Sequence, residues 1–487
     1  MGDLIMKKTI SILLLCAMLL CACGETENTP GSAVDSETDT GVADTATVET
    51  ERTPRLPAEL TFGGREVRIL SGTYNDYCYL FREESTGEVL NDAIRQMQAD
   101  TEERLDIKLT EYGELYVANA NELAIQLTAS GDASYAVMNQ LDRFAIELMI
   151  GGYLRPLEDA PLCDLTAPWW NPHISEKLSL GGETYYATSA ANLLMSVDTT
   201  AMYMNTRLAA EAGIETTTLY QTVREGRWTY DLLEGYLENA AVDVNGDGKM
   251  DEGDRYGMHC YDQNIFATSC ITAAGLDSLS KDENDRLIVS WGGEAYMNAM
   301  EKAYELFHSP SVYMEDERHT ATIFTEGRSL FMHGFFLAVD TLEEMEDDYA
   351  VLPIPKTSET QDSYLCANYD VMMFVMPRFV TDTELYGAVT EWLSYEGLSH
   401  VRDAYVETTL KYKKARDSET AEMVQLCLDA SQVDLGSMYA FDYCGYDAIY
   451  VKVMLPNTYK FASYAAGTEK SLVGRIEKIE KAVQGGE

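Results

Sequence analysis

Residues 321–356 read ATIFTEGRSLFMHGFFLAVDTLEEMEDDYAVLPIPK, and the fold turns on how this stretch is parsed. A short amphipathic turn closes on Gly327, an apolar run from Ser329 to Met332 has strand composition, and a Gly-Phe-Phe corner at 334–336 opens a helix-like segment. Tyr349-Ala-Val-Leu reads as a further strand, and Pro353 and Pro355 bar a helix beyond it. Strand, corner and strand around a core is one reading, with Phe335 and Phe336 as core side chains. An aromatic corner that faces a ligand is the other.

Toward the N-terminus the pattern is one of repeated βα units. Val67–Leu70 alternates as a strand, Val89/Leu90, Ala93/Ile94, Met97 and Leu105 recur at helical spacing, and Ile107 and Leu109 begin another strand. A second unit follows, with a helix at 122–129 stopped by Gly131, a strand at 135–138 and a helix at 143–150 ending at Gly151-Gly152. Such repeats predict a mostly parallel sheet covered on both faces. Ligands of such sheets sit at the carboxyl ends of the strands, here Gly72-Thr73 and residues 139–143. Asn368 to Pro377 reads as a buried strand, and 385–395, 421–428 and 472–483 as amphipathic helices.

The order F-x-x-G, apolar strand, G-aromatic, then Y-x-V-x-P-x-P at 324–355 resembles the pocket-to-hinge segment of extracellular solute-binding proteins, family 1, of ABC importers. Tyr186, Met202-Tyr-Met-Asn205-x-x-Leu208, Ala212-Gly213 and Trp228-Thr-Tyr-Asp-Leu resemble the opening of that family's second lobe. Tyr135-Ala-Val-Met-Asn-Gln-Leu-Asp-Arg-Phe resembles the strand-to-helix corner of maltose-type binders, with Asn139 where the aromatic would stand and Asp142-Arg143 matching the sugar-binding pair. The resemblance implies an α/β, two-lobed periplasmic-binding-protein-like fold of type II, with hinge crossovers and extra C-terminal helices. Lobe 1 is expected at 58–165 and again at 353–400, lobe 2 at 166–352, and a helical region at 401–487 packing mainly on lobe 2.

The same resemblance implies a ligand set of Asn139, Asp142 and Arg143 on the first lobe, Trp169 and Trp170 at the proline-rich crossover, and Tyr186, Trp291, Phe335 and Phe336 on the second. Bland readings stand beside it: Asp142 as a helix N-cap, the Trp pair as hinge core. The function implied is capture of an extracellular sugar or oligosaccharide and its delivery to ABC permease subunits, by a monomer without enzymatic activity. The alternatives are an exported carbohydrate-active enzyme and a binder of a non-sugar solute such as a peptide. The chain carries no G-x-S-x-G, no H-E-x-x-H and no phosphate-binding P-loop, and its six His show no metal-ligand spacing.

Composition narrows the partners. The 487 residues suit two lobes with appendages, and 36 basic against 81 acidic side chains give a formal charge of −45, which repels nucleic acid and anionic lipid. The 31 Tyr and 5 Trp suit flat apolar faces such as sugar rings. Lys7-Lys8 followed by the apolar run 9–22 predicts a signal peptide spanning 1–23. Leu20-Cys21-Ala22-Cys23 resembles a lipobox, which implies a lipid anchor on Cys23 at the extracellular face of the cell membrane. Residues 24–57, rich in Thr, Glu, Asp and Ser and without an aromatic, predict a disordered acidic tether. The seven cysteines beyond the leader are odd in number and irregularly spaced, which argues against a disulfide framework.

Asp243-Val-Asn245-Gly-Asp247-Gly248-Lys249-Met-Asp251-Glu-Gly-Asp254 is the most specific motif of the chain. Oxygen side chains fall at loop positions 1, 3, 5, 9 and 12, Gly248 at position 6 permits the sharp turn, and Lys249 offers a carbonyl at position 7. This spacing predicts one structural Ca²⁺ site, weakened by Asp254 in place of the usual Glu.

Overall fold

The computed structural model describes residues 52–112, 115–132, 135–314, 318–343, 345–411 and 418–484, all within one unit, Arg52–Glu487. The expected signal peptide, Cys23 and most of the expected tether lie outside the described residues. In chain order the strands are β1 (Arg65–Ser71), β2 (Ile107–Glu111), β3 (Val137–Leu141), β4 (Leu154–Arg155), β5 (Tyr186–Ala187), β6 (Thr200–Asn205), β7 (Tyr256–Cys260), β8 (Leu279–Lys281), β9 (Leu287–Val289), β10 (Val312–Met314), β11 (Ser329–Phe335), β12 (Tyr349–Leu352), β13 (Cys366–Ala367), β14 (Met372–Pro377) and β15 (Ser431–Gln432). They form two principal sheets, β2-β1-β3-β14-β4 with β5 also on β14, and β10-β7-β11-β6-β12.

The parallel ladders are those of the βα units: β1 with β2 and β3, and β7 with β10 and β11. Against the expectation of mostly parallel sheets, β14 runs antiparallel to β3, β4 and β5, and β6 antiparallel to β11 and β12. Both sheets are therefore mixed. The reason is that a strand reached through a crossover between sheets is free of the βαβ connection that enforces parallel pairing. β14 and β11 are buried at every position, which is why they read as unbroken apolar runs.

Helices cover the sheets by their apolar seams. The helix Val89–Leu105 turns Leu90, Ile94, Met97, Thr101 and Leu105 inward, and Glu88 caps it by accepting from the amides of Leu90 and Asn91. At 334–336 the strand continues through Phe335, and the helix-like segment expected there is a 3-10 turn, Phe336–Leu342.

Three crossing segments are tied together between the sheets. Thr199 and Asn368 form an isolated antiparallel bridge, Tyr369 N–H donates to the Asp198 carbonyl at 3.1 Å, and Phe336 N–H donates to the Thr199 carbonyl at 3.1 Å. Asn368 N–H donates to the Gln432 carbonyl at 2.8 Å, and β13 pairs with β15 in parallel. Asn368 Nδ2 donates to the Met195 carbonyl at 2.6 Å, and the hydroxyls of Thr199 and Ser431 meet at 2.8 Å.

The C-terminal helices reach both halves. Tyr405 meets Tyr77 edge-on, Tyr220 and Thr420 share a hydrogen bond of 3.0 Å, and Arg475, on the long helix Phe461–Gln484, donates to Glu147 at 2.6 Å while Phe461 packs on Trp291 and Tyr296. None of the seven described cysteines is joined in a disulfide.

Candidate functional site

Where the crossing segments meet the strand ends, acidic and aromatic side chains from both halves converge. Arg143, on the helix Asp142–Ile150 that follows β3, donates to Asp370 Oδ1 at 2.7 Å. The Tyr446 hydroxyl donates to the same oxygen at 3.0 Å. The Tyr74 hydroxyl lies 3.1 Å from Asp370 Oδ2 and 3.3 Å from Asp198 Oδ2. From the second sheet, Asp262 just beyond β7 pairs with Arg318 and with His319 Nε2, each at 2.9 Å. Arg318 in turn donates to the Tyr369 hydroxyl. Tyr77 donates to Asp340 at 2.6 Å, so a residue after β1 bonds directly to one after β11.

The aromatic wall is continuous. Tyr369 stacks on Tyr446 with ring centres 4.0 Å apart, Phe335 lies 5.3 Å from Tyr369, and Tyr261 stacks on His319 at 5.5 Å. Phe441 meets Tyr446 edge-on and lies under the Arg143 guanidinium. A cavity of about 180 Å³ beside Arg143 and Phe441 continues the cluster toward Arg475. A larger, mostly apolar recess of about 330 Å³ around Tyr230, Cys270 and Leu306 shares no residue with it.

Charge in this site is unevenly compensated. Asp370 and Asp262 each face a guanidinium. Asp262 is held below the usual carboxylate range because the His319 and Arg318 contacts outweigh its burial. Asp142 accepts from the Arg143 and Val371 amides, and burial and then the charge of Asp370 push its carboxyl upward. Asp198 is 2% exposed and has no ion-pair partner among the described residues. Burial and then Asp370 raise its carboxyl well above the ordinary range.

Of the side chains expected to contact ligand, the structure brings Asp142, Arg143 and Phe335 into this cluster. Asn139 is buried on β3 beside Ser71, with its Nδ2 3.4 Å from the Ser71 hydroxyl and its Oδ1 unpartnered among the described residues. The other five make internal contacts. Trp170 donates to Glu391 at 2.6 Å and packs edge-on against Phe374, and Trp169 packs on Tyr395. The Tyr186 hydroxyl donates to Tyr439 at 2.6 Å. Trp291 is enclosed by Phe461 and Tyr464 of the C-terminal helix, and Phe336 is pinned through its amide to Thr199. Sequence reasoning missed Tyr74, Asp198, Asp262, Arg318, Tyr369 and Tyr446. Only Tyr369-Asp370, polar residues abutting an apolar strand, carried a readable signal.

The acidic loop is closed at its neck by paired bonds between Val242 and Arg255, and Gly248 has φ of 84° as its position requires. Each oxygen side chain accepts from the loop's own amides: Asp243 from Gly246 and Gly248, Asn245 from Asp247, Asp247 from Lys249, Asp251 from Gly253, and Asp254 from Val244 and Asp251. Those amide bonds hold the buried Asp254 below the usual carboxylate range, so it stays ionised. The donor set is all hard oxygen, which fits Ca²⁺, although no three of these carboxylates lie within 4.8 Å of one another.

No protein-family model matches the chain, nor does any curated protein. Solved structures do. The sugar-binding protein MalE from Xanthomonas citri is similar with a TM-score of 0.59 at 12% identity, over 85% of this chain and 98% of that one. The ABC substrate-binding protein Lmo0181 from Listeria monocytogenes, in complex with cycloalternan, gives 0.52 at 13% identity over 86% and 99%. UgpB from Mycobacterium tuberculosis, in complex with glycerophosphocholine, gives 0.52 at 14% identity over 86% and 99%. The fold is thus the two-lobed α/β fold of ABC substrate-binding proteins.

Asp198 supplies a test with a definite sign. Its folded carboxyl is raised above the unfolded value of about 3.9, so its contribution is most favourable below that value and is lost as pH rises through the folded one. Asp198→Asn is expected to raise the neutral-pH stability of the ligand-free protein by roughly 1–3 kcal/mol and to flatten the decline in melting temperature between pH 4 and neutrality. A variant that melts lower than the parent at pH 8, with an unchanged pH profile, would show that the carboxylate is well solvated.

Proposed function

We propose that the chain is the solute-binding component of an ABC importer, that it binds a sugar or oligosaccharide between its lobes, and that it hands this ligand to membrane permease subunits. The observation that carries the reading is the convergence of Tyr74, Asp142, Arg143, Asp198 and Asp370 with Tyr261, Asp262, Arg318 and Phe335 at the crossing between the two sheets. Carboxylates and an arginine accept from and donate to sugar hydroxyls, and Tyr and Phe faces cover the apolar side of a pyranose. A ligand carrying a phosphodiester fits poorly here. Both guanidinium groups already hold carboxylates, so neither is free to pair with its charge. The role is binding rather than catalysis.

Thermal-shift screening against neutral oligosaccharides, sugar phosphates and peptides tests this. A cognate ligand at about 100 times its Kd stabilises by about 2.7 kcal/mol. On that ligand Tyr369→Ala should lose more than tenfold in affinity, whereas Trp170→Phe should bind normally and melt lower, because its contacts are internal. Stabilisation by peptides alone would overturn the sugar reading.

The leader supports a lipid anchor at Cys23 on the extracellular face, and no helix among the described residues is long and apolar enough to cross a membrane. Cys23→Ala should release the protein from the membrane fraction into the medium. A variant that stays with the membrane would exclude that anchor.

Asp243, Asn245, Asp247, Asp251 and Asp254, with the Lys249 carbonyl, are the groups that would hold one Ca²⁺, which supplies a clip across the neck of the loop and no chemistry. Calcium should raise the melting temperature without altering solute preference, and Asp254→Asn should abolish the effect. If neither the melting curve nor a titration calorimeter responds to calcium, the loop is plain acidic surface.

A further inference from the structure

Outside the cleft, we propose that Asp100, Glu396 and His400 form a site for a divalent transition-metal cation of the zinc type, which clamps the helix Val89–Leu105 to the end of the helix Thr383–Glu396. His400 Nε2 lies 2.9 Å from Asp100 Oδ2 and 3.3 Å from Glu396 Oε2, and the three atoms lie within 4.8 Å of one another. No other three His, Cys, Asp or Glu side chains among the described residues are so gathered. A tetrahedral ion with bonds of about 2.0–2.1 Å separates its ligand atoms by about 3.3–3.4 Å. Both contacts of His400 are therefore already close to that edge length, and water can take the fourth vertex.

The backbone explains why they meet. Glu396 ends a regular helix and His400 follows four residues later inside a π-turn, Gly397–Arg402, a winding that recurs at functional sites. The turn lies where Gly397 passes the backbone of Ala191 so closely that a Cβ would stand 2.5 Å from the Ala191 nitrogen. Asp100 comes from the other helix, and Gln96, one turn earlier, donates to its second oxygen at 2.6 Å, leaving Oδ2 toward His400. That is the arrangement in which an outer donor orients a ligating carboxylate. A lone imidazole serves these neighbours poorly, since the single Nε2 proton cannot satisfy two half-buried carboxylates. A divalent cation neutralises both. The imidazole ligand favours zinc over the calcium that suits the all-oxygen loop.

The test uses the purified full chain, stripped with a chelator, resupplied with calcium to occupy any oxygen-only site, and titrated with zinc chloride by calorimetry. One zinc equivalent should bind and raise the melting temperature. Cobalt in its place should show the strong visible absorption of a four-coordinate ion. His400→Ala should weaken zinc at least a hundredfold, Gln96→Ala by 10–100-fold, and Asp254→Asn should leave it unchanged. Gln96→Ala, at a helix surface, keeps the test valid if His400→Ala folds poorly. Absence of saturable zinc binding, or zinc affinity equal in the parent and both site variants, overturns the proposal. So would a His400→Ala variant that melts lower in zinc-free buffer while zinc leaves the parent unmoved, because His400 is then an ion-pair partner only.

Discussion

The bridge between Thr199 and Asn368 is the constraint on which the rest of the structure depends. It brings two crossing segments side by side, and Asn368 N–H to Gln432 adds the third. Every strand that enters or leaves a sheet through this knot is oriented by it: β6 leads into the second sheet from Thr200, and β14 enters the first from the Tyr369 side. Because the backbone groups here are buried, each must find a partner, and the side chains of Asn368, Thr199 and Ser431 bond locally to supply what no continuous ladder could.

The acidic groups of the cleft follow from that knot. Asp198 adjoins the bridging Thr199 and Asp370 lies two residues beyond the bridging Asn368, so the bridge brings both side chains to the junction. Arg143 offsets one of them. The other stays buried without a cation, a costly arrangement that raises its carboxyl.

Much of the fold was legible in the chain. The βα units at 65–111 and the corner near 139–143 follow from periodicity and glycine placement, and the unbroken apolar runs at β11 and β14 announce strands buried on both faces. The mixed direction of the sheets was not legible, because strand direction depends on where a crossing segment arrives rather than on its composition. The candidate site was legible only in part. Asp142, Arg143 and Phe335 stand in the cluster, whereas Trp169, Trp170, Tyr186 and Trp291 make internal contacts. Aromatic pairs carry the same sequence signature whether they face a ligand or a core.

By itself the sequence determined much of the local structure: where the main strands and amphipathic helices fall, and where Gly248 must turn the acidic loop. These are properties of residues within a few positions of one another, set by backbone sterics and hydrophobic period. The tertiary structure alone decided which buried polar groups meet. Asp198 and Tyr74 stand 124 positions apart and Arg143 and Asp370 stand 227, and the charge left over between them exists only once both lobes and the crossings are in place. Coulombic and hydrogen-bonding terms act over a few ångströms of space, a distance that sequence separation does not encode.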